Sequence, residues 1–570
     1  MNDENLKKKL STLENQIKEL KKNNLGLVFE DKKEDVVEKI NTELPFLEED
    51  QKKRIKLNKK YPDNLIIEGD NFLSLSALNY SHKKKIDLIY IDPPFNTGAR
   101  DWKYNNDYVD SEDSYRHSKW LSFMSHRLKL AKELLKDTGF ISCSIDHFEL
   151  FTLGVLMDKI FGEQNRIGIV TVVHKPEGRQ FANFLSPSNE FLLVYAKKKQ
   201  AASFSEVVLD EEKLKEFDLK DNTGNYKLKN FIRLSDGKYS LRKNKPEGFY
   251  PIYVSEDLTK FSLIKKNGYE KTLPITEKGV ERVWKTFGDT FLEKVKNNLI
   301  VAKRENGNIV LYEKLRPSQV FVTHWTKKEY HGFHYGTKIL ENILGDAKLF
   351  DFPKSLYLVI DIVKLMTKKD AVVLDFFAGS GTTGHAVLEL NKADKGNRKF
   401  ILCTNNENNN DGKGGIAEAI CYPRIKSVIN GYKNIAGKKI DGIPSNLFYF
   451  KTKMINIDKI QKISDDDKIH ISHEAGEIIA LRENTLNHVE KNKWWQIFES
   501  ENKNLAIYFK EDKEKLPELI RKLEKINKQT VLYIFSWGKN EYKNEYSSEI
   551  ITVEDIPEPI IEIYKELNRL

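Results

Sequence analysis

The sequence predicts an α/β protein built on an open, mostly parallel sheet, and three observations lead to this prediction. Between residues 61 and 200, strand-like apolar runs alternate with helix-like patterns. Far along the chain a glycine-rich turn follows another apolar strand, and regular sheet patterning surrounds it over residues 345–450. The stretch between these regions has shorter runs punctuated by Asn-Gly and Asp-Gly. The predicted sheet is therefore interrupted by an inserted domain.

The first 60 residues are rich in lysine and glutamate and are predicted to form a helical segment. Their apolar residues are spaced by four and three residues in turn, at Leu6, Leu10, Leu13, Ile17 and Leu20. This seam covers about two heptads, so a dimer zipper and a helix packed on its own protein are both open.

Residues 61–200 are predicted to contain a long helix and several strands. The helix is Trp120–Leu135, and the strands are Asn64–Glu68, Ile86–Ile91, Phe140–Ile145, Gly168–Val173 and Phe191–Tyr195. A small separate α/β unit is expected over residues 451–570, with strands at 505–509 and 531–535 on either side of the amphipathic helix Leu516–Ile526.

The most informative motif, Asp92-Pro93-Pro94-Phe95, directly follows the strand Ile86–Ile91. The two prolines restrict the backbone and remove amide donors, so the Pro93 carbonyl can point into a cleft beside the Asp92 carboxylate. Phe95 can stack on a flat ring. The motif therefore predicts a site for a ring that carries an amine, with an ordinary surface turn as the alternative.

A second motif, Phe377-Ala378-Gly379-Ser380-Gly381-Thr382, lies where an apolar strand that begins near Val372 runs into a glycine-rich turn. Glycines in a strand-to-helix turn adopt positive φ angles and allow a ligand to approach the backbone closely. The turn is not a phosphate loop, because no lysine follows the second glycine. It predicts a ligand site, with a tight structural turn as the alternative.

Together the two motifs resemble those of the amino-methyltransferases that methylate DNA with S-adenosylmethionine, in the beta order, with the catalytic loop before the cofactor loop. Other stretches resemble the modification subunits of type III restriction-modification systems, namely residues 67–71, 120–124, 140–146, 156–162, 190–197, 397–402 and 556–561. The resemblance implies a Rossmann-like methyltransferase domain that transfers a methyl group to adenine N6 of a flipped-out base in double-stranded DNA.

The resemblance also implies roles for individual residues. Asp92, Pro93, Pro94 and Phe95 are expected to act on the target base. The residues expected to bind the cofactor are Asp70, Asp92, Asp375, Phe377, Ala378, Gly379, Ser380, Gly381, Thr382, Glu407, Lys354 and Ser355. Capping of the following helix is an alternative role for Thr382. The sequence departs from the family at Glu407, which lacks a preceding proline, and at Ser355, where the family commonly has proline.

In the resembling family, the position of residues 201–335 holds the target recognition domain. Basic residues here are interleaved with aromatic ones, a combination that can contact phosphates and stack on bases. The candidates for DNA contact are Lys227, Lys229, Arg233, Tyr239, Arg242 and Lys243. A solvated basic face above core aromatics is the alternative. The expected domains are thus 1–60, a methyltransferase domain split into 61–200 and 336–450, the insertion 201–335, and 451–570.

The composition fits a folded protein with an anionic partner. Apolar residues make up 39% of the chain, charged residues make up 31%, and the formal net charge is +9. Cys143, Cys403 and Cys421 are widely spaced, so neither a metal site nor a disulfide is expected. No signal peptide or membrane span is recognised, and a cytoplasmic protein without a membrane partner is expected.

The resemblance leaves several alternatives open. The chain is expected to be a modification and specificity subunit, and a homodimer and a separate helicase-nuclease restriction subunit are candidate partners. A stand-alone methyltransferase of type II or orphan character, a cytosine-N4 enzyme and an enzyme acting on RNA or on protein glutamine are alternative enzymes. A catalytically silent DNA-binding specificity subunit is the alternative from another functional class.

Overall fold

The computed structural model describes residues 29–569 except 59, 106, 179–183, 206–213, 236, 318–320 and 408–414. The predicted heptad seam from Leu6 to Leu20 lies outside the described residues. The chain divides into two compact units, and the boundaries of the second unit fall at residues 206 and 321.

A ten-stranded sheet forms the centre of the larger unit. Its strands in chain order are β1 (Glu43–Glu49), β2 (Asp63–Glu68), β3 (Ile86–Ile91), β4 (Leu135–Ile145), β5 (Arg166–Val173), β6 (Asn189–Ala196), β7 (His324–Trp325), β8 (Val372–Asp375), β9 (Lys399–Thr404) and β10 (Asn446–Asn456). Their order across the sheet is β1-β10-β2-β9-β8-β3-β4-β6-β5-β7. The strands from β10 to β4 are parallel, whereas β1 and β6 run antiparallel to their neighbours.

Helices connect these strands and cover the sheet. They are α1 (Asp35–Lys39), α2 (Asn71–His82), α3 (Arg116–Leu134), α4 (Leu150–Phe161), α5 (Lys338–Leu344), α6 (Leu356–Met366), α7 (Thr382–Asp394) and α8 (Tyr422–Asn430). Helix α3 connects β3 to β4 in one direction along the sheet, and α7 connects β8 to β9 in the other. Because such crossovers are right-handed, these two helices cover opposite faces.

Shorter elements complete this part of the chain. Two small hairpins are formed by Ala99–Tyr104 with Asp107–Asp110 and by Tyr432–Lys433 with Lys439–Ile440. Short 3-10 or π-helical turns occupy Gln51–Lys53, Glu163–Asn165, Lys328–Tyr330, Phe333–Thr337 and Ala417–Cys421.

The unit from 206 to 321 has its own sheets and core. Its four-stranded sheet contains Leu219–Asp221, Gly224–Asn230, Ile300–Glu305 and Asn308–Leu315, and its three-stranded sheet contains Ile252–Ser255, Phe261–Ser262 and Tyr269–Thr272. A helix spans Gly288–Lys296, and 3-10 turns span Lys238–Ser240, Arg242–Asn244 and Pro246–Gly248. Phe231, Trp284 and Phe291 are buried in its core, where the Phe231 ring stacks on Trp284 and packs at a tilt against Phe291.

The C-terminal part belongs to the larger unit and forms a second α/β layer there. Its sheet contains Asn487–Lys491, Trp495–Glu499, Asn504–Tyr508, Thr530–Phe535 and Ile551–Ile556, and its helices are Asp465–Glu474, Gly476–Glu483, Leu516–Ile526, Lys543–Tyr546 and Glu558–Leu567. Tyr564 stacks on Phe46 and donates a hydrogen bond to the Pro45 carbonyl of β1. One hydrophobic core therefore joins this part to the main sheet.

The α/β prediction is confirmed, and the predicted strands lie within two residues of observed strands except at the start of β4, which begins five residues earlier than predicted. The structure differs in the first 60 residues, where Glu43–Glu49 is a strand in a segment expected to be helical. Leu44, Phe46 and Leu47 are buried there, and the strand pairs with β10. Only tertiary pairing reveals this strand, because its residues do not alternate regularly. Among the described residues, no helix is long and apolar enough to span a membrane.

Candidate active site

The predicted site residues gather at one edge of the main sheet. Asp92 follows β3, Asp375 ends β8, Asp70 follows β2 and Glu407 follows β9. These strands are parallel, so their carboxyl ends share one edge. Strand β6 runs in the opposite direction, and its amino end therefore brings Glu190 to the same edge. Ligands of open α/β sheets bind at this kind of edge.

The connections of the sheet place a crevice between β3 and β8. These strands are neighbours, but β3 continues through α3 to β4, whereas β8 continues through α7 to β9 on the other side. A crevice opens where the connections diverge in this way. Asp92 and Asp375 stand on its two sides, and the charge of Asp92 contributes to the raised pKa of Asp375.

Hydrogen bonds from distant side chains hold the Asp92–Phe95 loop. The Trp120 indole nitrogen donates to the Pro94 carbonyl at 2.8 Å. Asn96 adopts a φ of +56°, and its amide donates to Glu149 at 2.5 Å. Among the described residues, no donor is bound to the Pro93 carbonyl. The loop is thus fixed at Pro94 and Asn96, while the Pro93 carbonyl remains available as an acceptor.

Lys354 and Glu190 accompany the Asp92 carboxylate. The Lys354 Nζ lies 3.2 Å from Asp92 Oδ1 and also forms an ion pair with Glu190. The same ammonium lies 4.7 Å from the centre of the Phe95 ring. Lys354 was expected to contact the cofactor, and the structure places it between two carboxylates and an aromatic face.

This environment changes the acidity of Asp92. The pKa of Asp92 is raised to about 6, mainly by burial and to a smaller extent by the charges of Glu190 and Asp146. The ammonium of Lys354 opposes them and lowers the pKa of Asp92. At neutral pH Asp92 is therefore mostly ionised and can accept hydrogen bonds.

The glycine-rich turn is held by Asp375. One oxygen of this buried carboxylate accepts the backbone N–H of Phe377 at 3.0 Å, and the other accepts the Thr383 hydroxyl at 2.5 Å. Burial raises the pKa of Asp375 to about 7. Gly379 and Gly381 have φ angles of +48° and +78°. At both positions glycine avoids the strain that a side chain would cause.

The space around the turn also requires glycine. A Cβ on Gly379 would lie 2.9 Å from the Phe350 ring, and one on Gly381 would lie 3.1 Å from the Cys421 sulfur. The Ala378 N–H donates to the Cys403 carbonyl at 3.2 Å, and Phe377 packs 5.8 Å from the Phe123 ring. The turn is consequently tightly packed on the side that faces the protein interior.

The remaining candidates have visible structural contacts. Thr382 receives a hydrogen bond from Arg424 at 2.8 Å and does not cap α7. Asp70 caps α2 by accepting the Phe72 N–H at 2.7 Å. Ser355 caps α6, and its hydroxyl donates to the Glu329 carbonyl at 2.6 Å.

Glu407 is an exposed residue at the border of the undescribed segment 408–414. Its carboxylate lies 3.9 Å from Lys103. The structure therefore brings Glu407 to the correct sheet edge, and its expected role in binding the ribose of the cofactor remains a prediction.

The predicted DNA contacts lie in the unit from 206 to 321. Lys227 is on the strand Gly224–Asn230 and pairs with Glu216, and Arg242 pairs with Glu281 at 2.9 Å. The other candidates have exposed side chains, namely Lys229, Arg233, Tyr239 and Lys243. These contacts remain predictions.

Comparison with known proteins assigns the family. The sequence model of the N6/N4 DNA methylases matches residues 86–411, which is more than half of the chain. The chain belongs to the N6/N4 DNA methylase family. The methylase is 36% identical to the type II methyltransferase M.KpnI of Klebsiella pneumoniae over 59% of this chain and 79% of that protein. It is 33% identical to the EcoPI Mod subunit of Escherichia phage P1 over 64% of this chain.

Coverage of the Mod subunits is partial. The matched regions span 60% of the EcoPI Mod subunit and 53% of the StyLTI Mod subunit of Salmonella typhimurium. Among solved structures, the cytosine-N4-specific PvuII DNA methyltransferase aligns with a TM-score of 0.32 and 11% identity, covering 64% of this chain and 87% of that one.

The methylase uses S-adenosylmethionine as its methyl donor. The residues of the crevice fit this zwitterionic cofactor. Gly379 and Gly381 leave the turn without side chains, and Phe377 is only partly buried. Asp92 and Asp375 supply negative charge that suits a sulfonium. These residues would hold the cofactor beside the Asp92–Phe95 loop.

Sequence reasoning missed residues that support the site of the methylase. Glu190 and Trp120 each begin a stretch that resembles the family, 190–197 and 120–124. The resemblance could therefore have pointed to both residues, although neither was given a role. Arg424 carried no such signal, because its importance comes from burial beside the glycine-rich turn.

Proposed function

We propose that this methylase transfers a methyl group from S-adenosylmethionine to adenine N6 at a specific DNA sequence, with the target base flipped out of the duplex. The observation that carries the proposal is that the Asp92 carboxylate and the Pro93 carbonyl lie at the crevice beside the Phe95 ring, and that no donor among the described residues is bound to this carbonyl. Phe95 is expected to stack on the extruded base, while the two oxygens accept the hydrogens of its amine.

The chemistry explains why two acceptors are useful. The lone pair of an adenine amine is delocalised into the ring, which makes the amine a poor nucleophile. Asp92 and the Pro93 carbonyl favour a tetrahedral nitrogen by accepting both of its hydrogens. S-adenosylmethionine supplies an electrophilic methyl group when bound. Positive charge then develops on the nitrogen, and a preorganised carboxylate and carbonyl dipole stabilise it.

The identity of the base rests on Asp92. An acid at the first position of this loop resembles adenine-N6 enzymes more than cytosine-N4 enzymes. The test is to express the chain in a host without DNA methylation and to sequence the DNA with detection of both modifications. N6-methyladenine at one recurring DNA motif is expected. Detection of N4-methylcytosine instead would show that the target base is cytosine and would contradict the proposed base.

For the wider role, we propose the modification and specificity subunit of a type III restriction-modification system. The support is the similarity to several Mod subunits. A stand-alone type II methyltransferase is the second candidate, because M.KpnI is matched over a larger share of its length. Coexpression with a neighbouring helicase-nuclease gene tests the choice. If unmethylated phage is restricted only when both chains are present, the type III role is supported. If no restriction subunit copurifies with the chain, the second candidate is supported.

A further inference from the structure

Arg424 is a buried cation for which the described part of the chain supplies no anionic partner. Its side chain has no exposed surface, and among the described residues no carboxylate contacts its guanidinium. The Nε atom is also buried and has no hydrogen-bond partner. A buried, uncompensated charge is costly, because water no longer solvates it. The position therefore needs an explanation beyond packing.

The guanidinium is directed at the glycine-rich turn. One terminal nitrogen of Arg424 donates to the Ser380 carbonyl at 3.3 Å, to the Ser380 hydroxyl at 3.0 Å and to the Thr382 hydroxyl at 2.8 Å. Both residues belong to the turn that precedes α7. Arg424 thus places a positive charge directly behind the backbone that borders the crevice.

The other nitrogen of Arg424 does not meet a negative charge either. It lies 3.4 Å from Nδ1 of His385, whose opposite nitrogen lies 3.6 Å from Glu389. Burial lowers the pKa of His385 to about 4, so this ring is neutral at physiological pH. The ring separates the Glu389 carboxylate from the guanidinium. Burial also lowers the pKa of Arg424 to about 10, which still leaves it charged.

The charges around the crevice are therefore polarised. On the side of the Asp92–Phe95 loop, the carboxylates of Asp92 and Glu190 share the single ammonium of Lys354, which leaves a net negative charge. On the side of the turn that Asp375 holds, Arg424 and the amino end of α7 add positive charge. A zwitterion that carries a sulfonium and a carboxylate fits this polarity in one orientation.

We infer that Arg424 is a specificity determinant for the carboxylate of S-adenosylmethionine, acting through the Ser380–Thr382 turn and supplying the charge that the carboxylate neutralises. It is a positioning residue, because Ser380 and Thr382 stand between it and the crevice. The inference concerns cofactor binding and does not depend on which base is methylated.

The test compares two ligands that differ only in the carboxylate. Dissociation constants are measured for S-adenosylmethionine and for its decarboxylated form, with the full chain and without DNA. The wild-type protein is expected to prefer the carboxylated ligand by at least tenfold. Arg424→Gln, which retains hydrogen-bonding groups but loses the charge, is expected to reduce this preference at least tenfold, mainly by weakening the binding of S-adenosylmethionine. Arg424→Lys retains the charge and should keep most of the preference.

Arg398→Gln is the matched control. Arg398 is also buried, but it is paired with Asp394 at 2.9 Å and makes no contact with the turn. Its loss is expected to lower stability and leave the ligand preference unchanged. If Arg424→Gln does not fold, as judged by thermal unfolding, Arg424→Met provides the second neutral variant. The inference would be overturned if Arg424→Gln weakened the binding of both ligands equally and so left the preference unchanged. It would also be overturned if the wild-type protein bound the two ligands with nearly equal dissociation constants.

Discussion

Three side chains from distant parts of the sequence, Asp92, Glu190 and Lys354, set the charge at the Asp92–Phe95 loop. Lys354 contacts both Asp92 and Glu190, so a single ammonium faces two carboxylates. Burial alone would favour a protonated Asp92, and Lys354 limits this effect. The balance matters for the proposed mechanism, because a protonated Asp92 would lack the negative charge that stabilises the developing positive charge on the amine.

At the residue scale, replacement of Asp92 by Asn is expected to lower methyl transfer by about a hundredfold or more, because the side chain keeps its size but loses its charge. Dissociation constants for S-adenosylmethionine and DNA should change by less than about threefold. Single-turnover rates with labelled cofactor provide the measurement. Asp137→Asn, at the amino end of β4, is the matched control. Turnover of Asp92→Asn comparable with that control would contradict the proposed mechanism.

The pH dependence gives a second prediction at the same scale. Because the pKa of Asp92 is about 6, the rate should fall as the pH decreases through this value and Asp92 becomes protonated. Groups that face Asp92 are Lys354, Glu190, Asp146, Asp375 and Tyr90. Asp375 titrates near pH 7, so binding of S-adenosylmethionine is measured in parallel to separate its effect.

Two substitutions should shift the pH at which the rate falls, which is the acid limb of the pH–rate profile, in opposite directions. Glu190→Gln removes a negative charge that raises the pKa of Asp92, so the limb is expected at lower pH. Lys354→Met removes a positive charge that lowers this pKa, so the limb is expected at higher pH. A general loss of structure would not give opposite shifts. If the acid limbs of the two variants moved in the same direction, this charge balance would be excluded.

At the element scale, helix α3 is tied to the Asp92–Phe95 loop by a hydrogen bond. Trp120 lies in the first turns of α3 and is fully buried, and its indole holds the Pro94 carbonyl. Helix α3 continues into β4, next to β3, so the packing of the helix and the position of the loop are coupled. The two prolines restrict the loop, and the helix determines where the restricted loop lies.

Trp120→Phe removes the indole donor and keeps an aromatic ring. It is expected to lower the free energy of unfolding by about 1–3 kcal/mol, because the Pro94 carbonyl loses its partner. The catalytic rate constant should fall more than cofactor affinity does, since in the proposed mechanism the loop positions the base. Trp325→Phe is the control, because Trp325 donates a similar bond to Val322 at 3.0 Å on edge strand β7. An equal loss of rate in both variants would argue against loop positioning.

At the scale of the whole molecule, the basic charge of the 206–321 unit is expected to attract the DNA backbone. Lys229, Arg233 and Lys243 are exposed. Replacing all three by Gln should weaken DNA binding and reduce the slope of log affinity against log salt concentration by about 0.9 for each phosphate that the protein no longer neutralises. Anisotropy titrations over a range of salt concentrations provide the measurement.

A charge-matched variant tests whether this effect is local. Replacing Arg521, Lys525 and Lys543 in the C-terminal part by Gln removes the same charge from exposed positions of other elements. The salt slope of this variant is expected to remain close to that of the wild type. A greater reduction in this variant than in the first would place the DNA path on the C-terminal part.

Much of the fold was predictable from local patterns. Strand β3 is apolar almost throughout and buried on both faces, which its run of residues predicts directly. Strand β1 was not predicted, because its short apolar run follows a charged segment and is identified only by pairing with β10. The C-terminal part was expected to be separate, yet Tyr564 binds β1, a contact between residues 519 positions apart in sequence.

The sequence by itself determined the two motifs, their order and the strands that present them, because turn chemistry and burial periodicity are properties of neighbouring residues. Only the tertiary structure decided which strands are adjacent, and therefore which charges meet. It joined Lys354 to Glu190 across 164 positions and placed Arg424 behind Ser380. The physical reason is that pKa values and buried charges depend on distance in space, which local sequence does not specify.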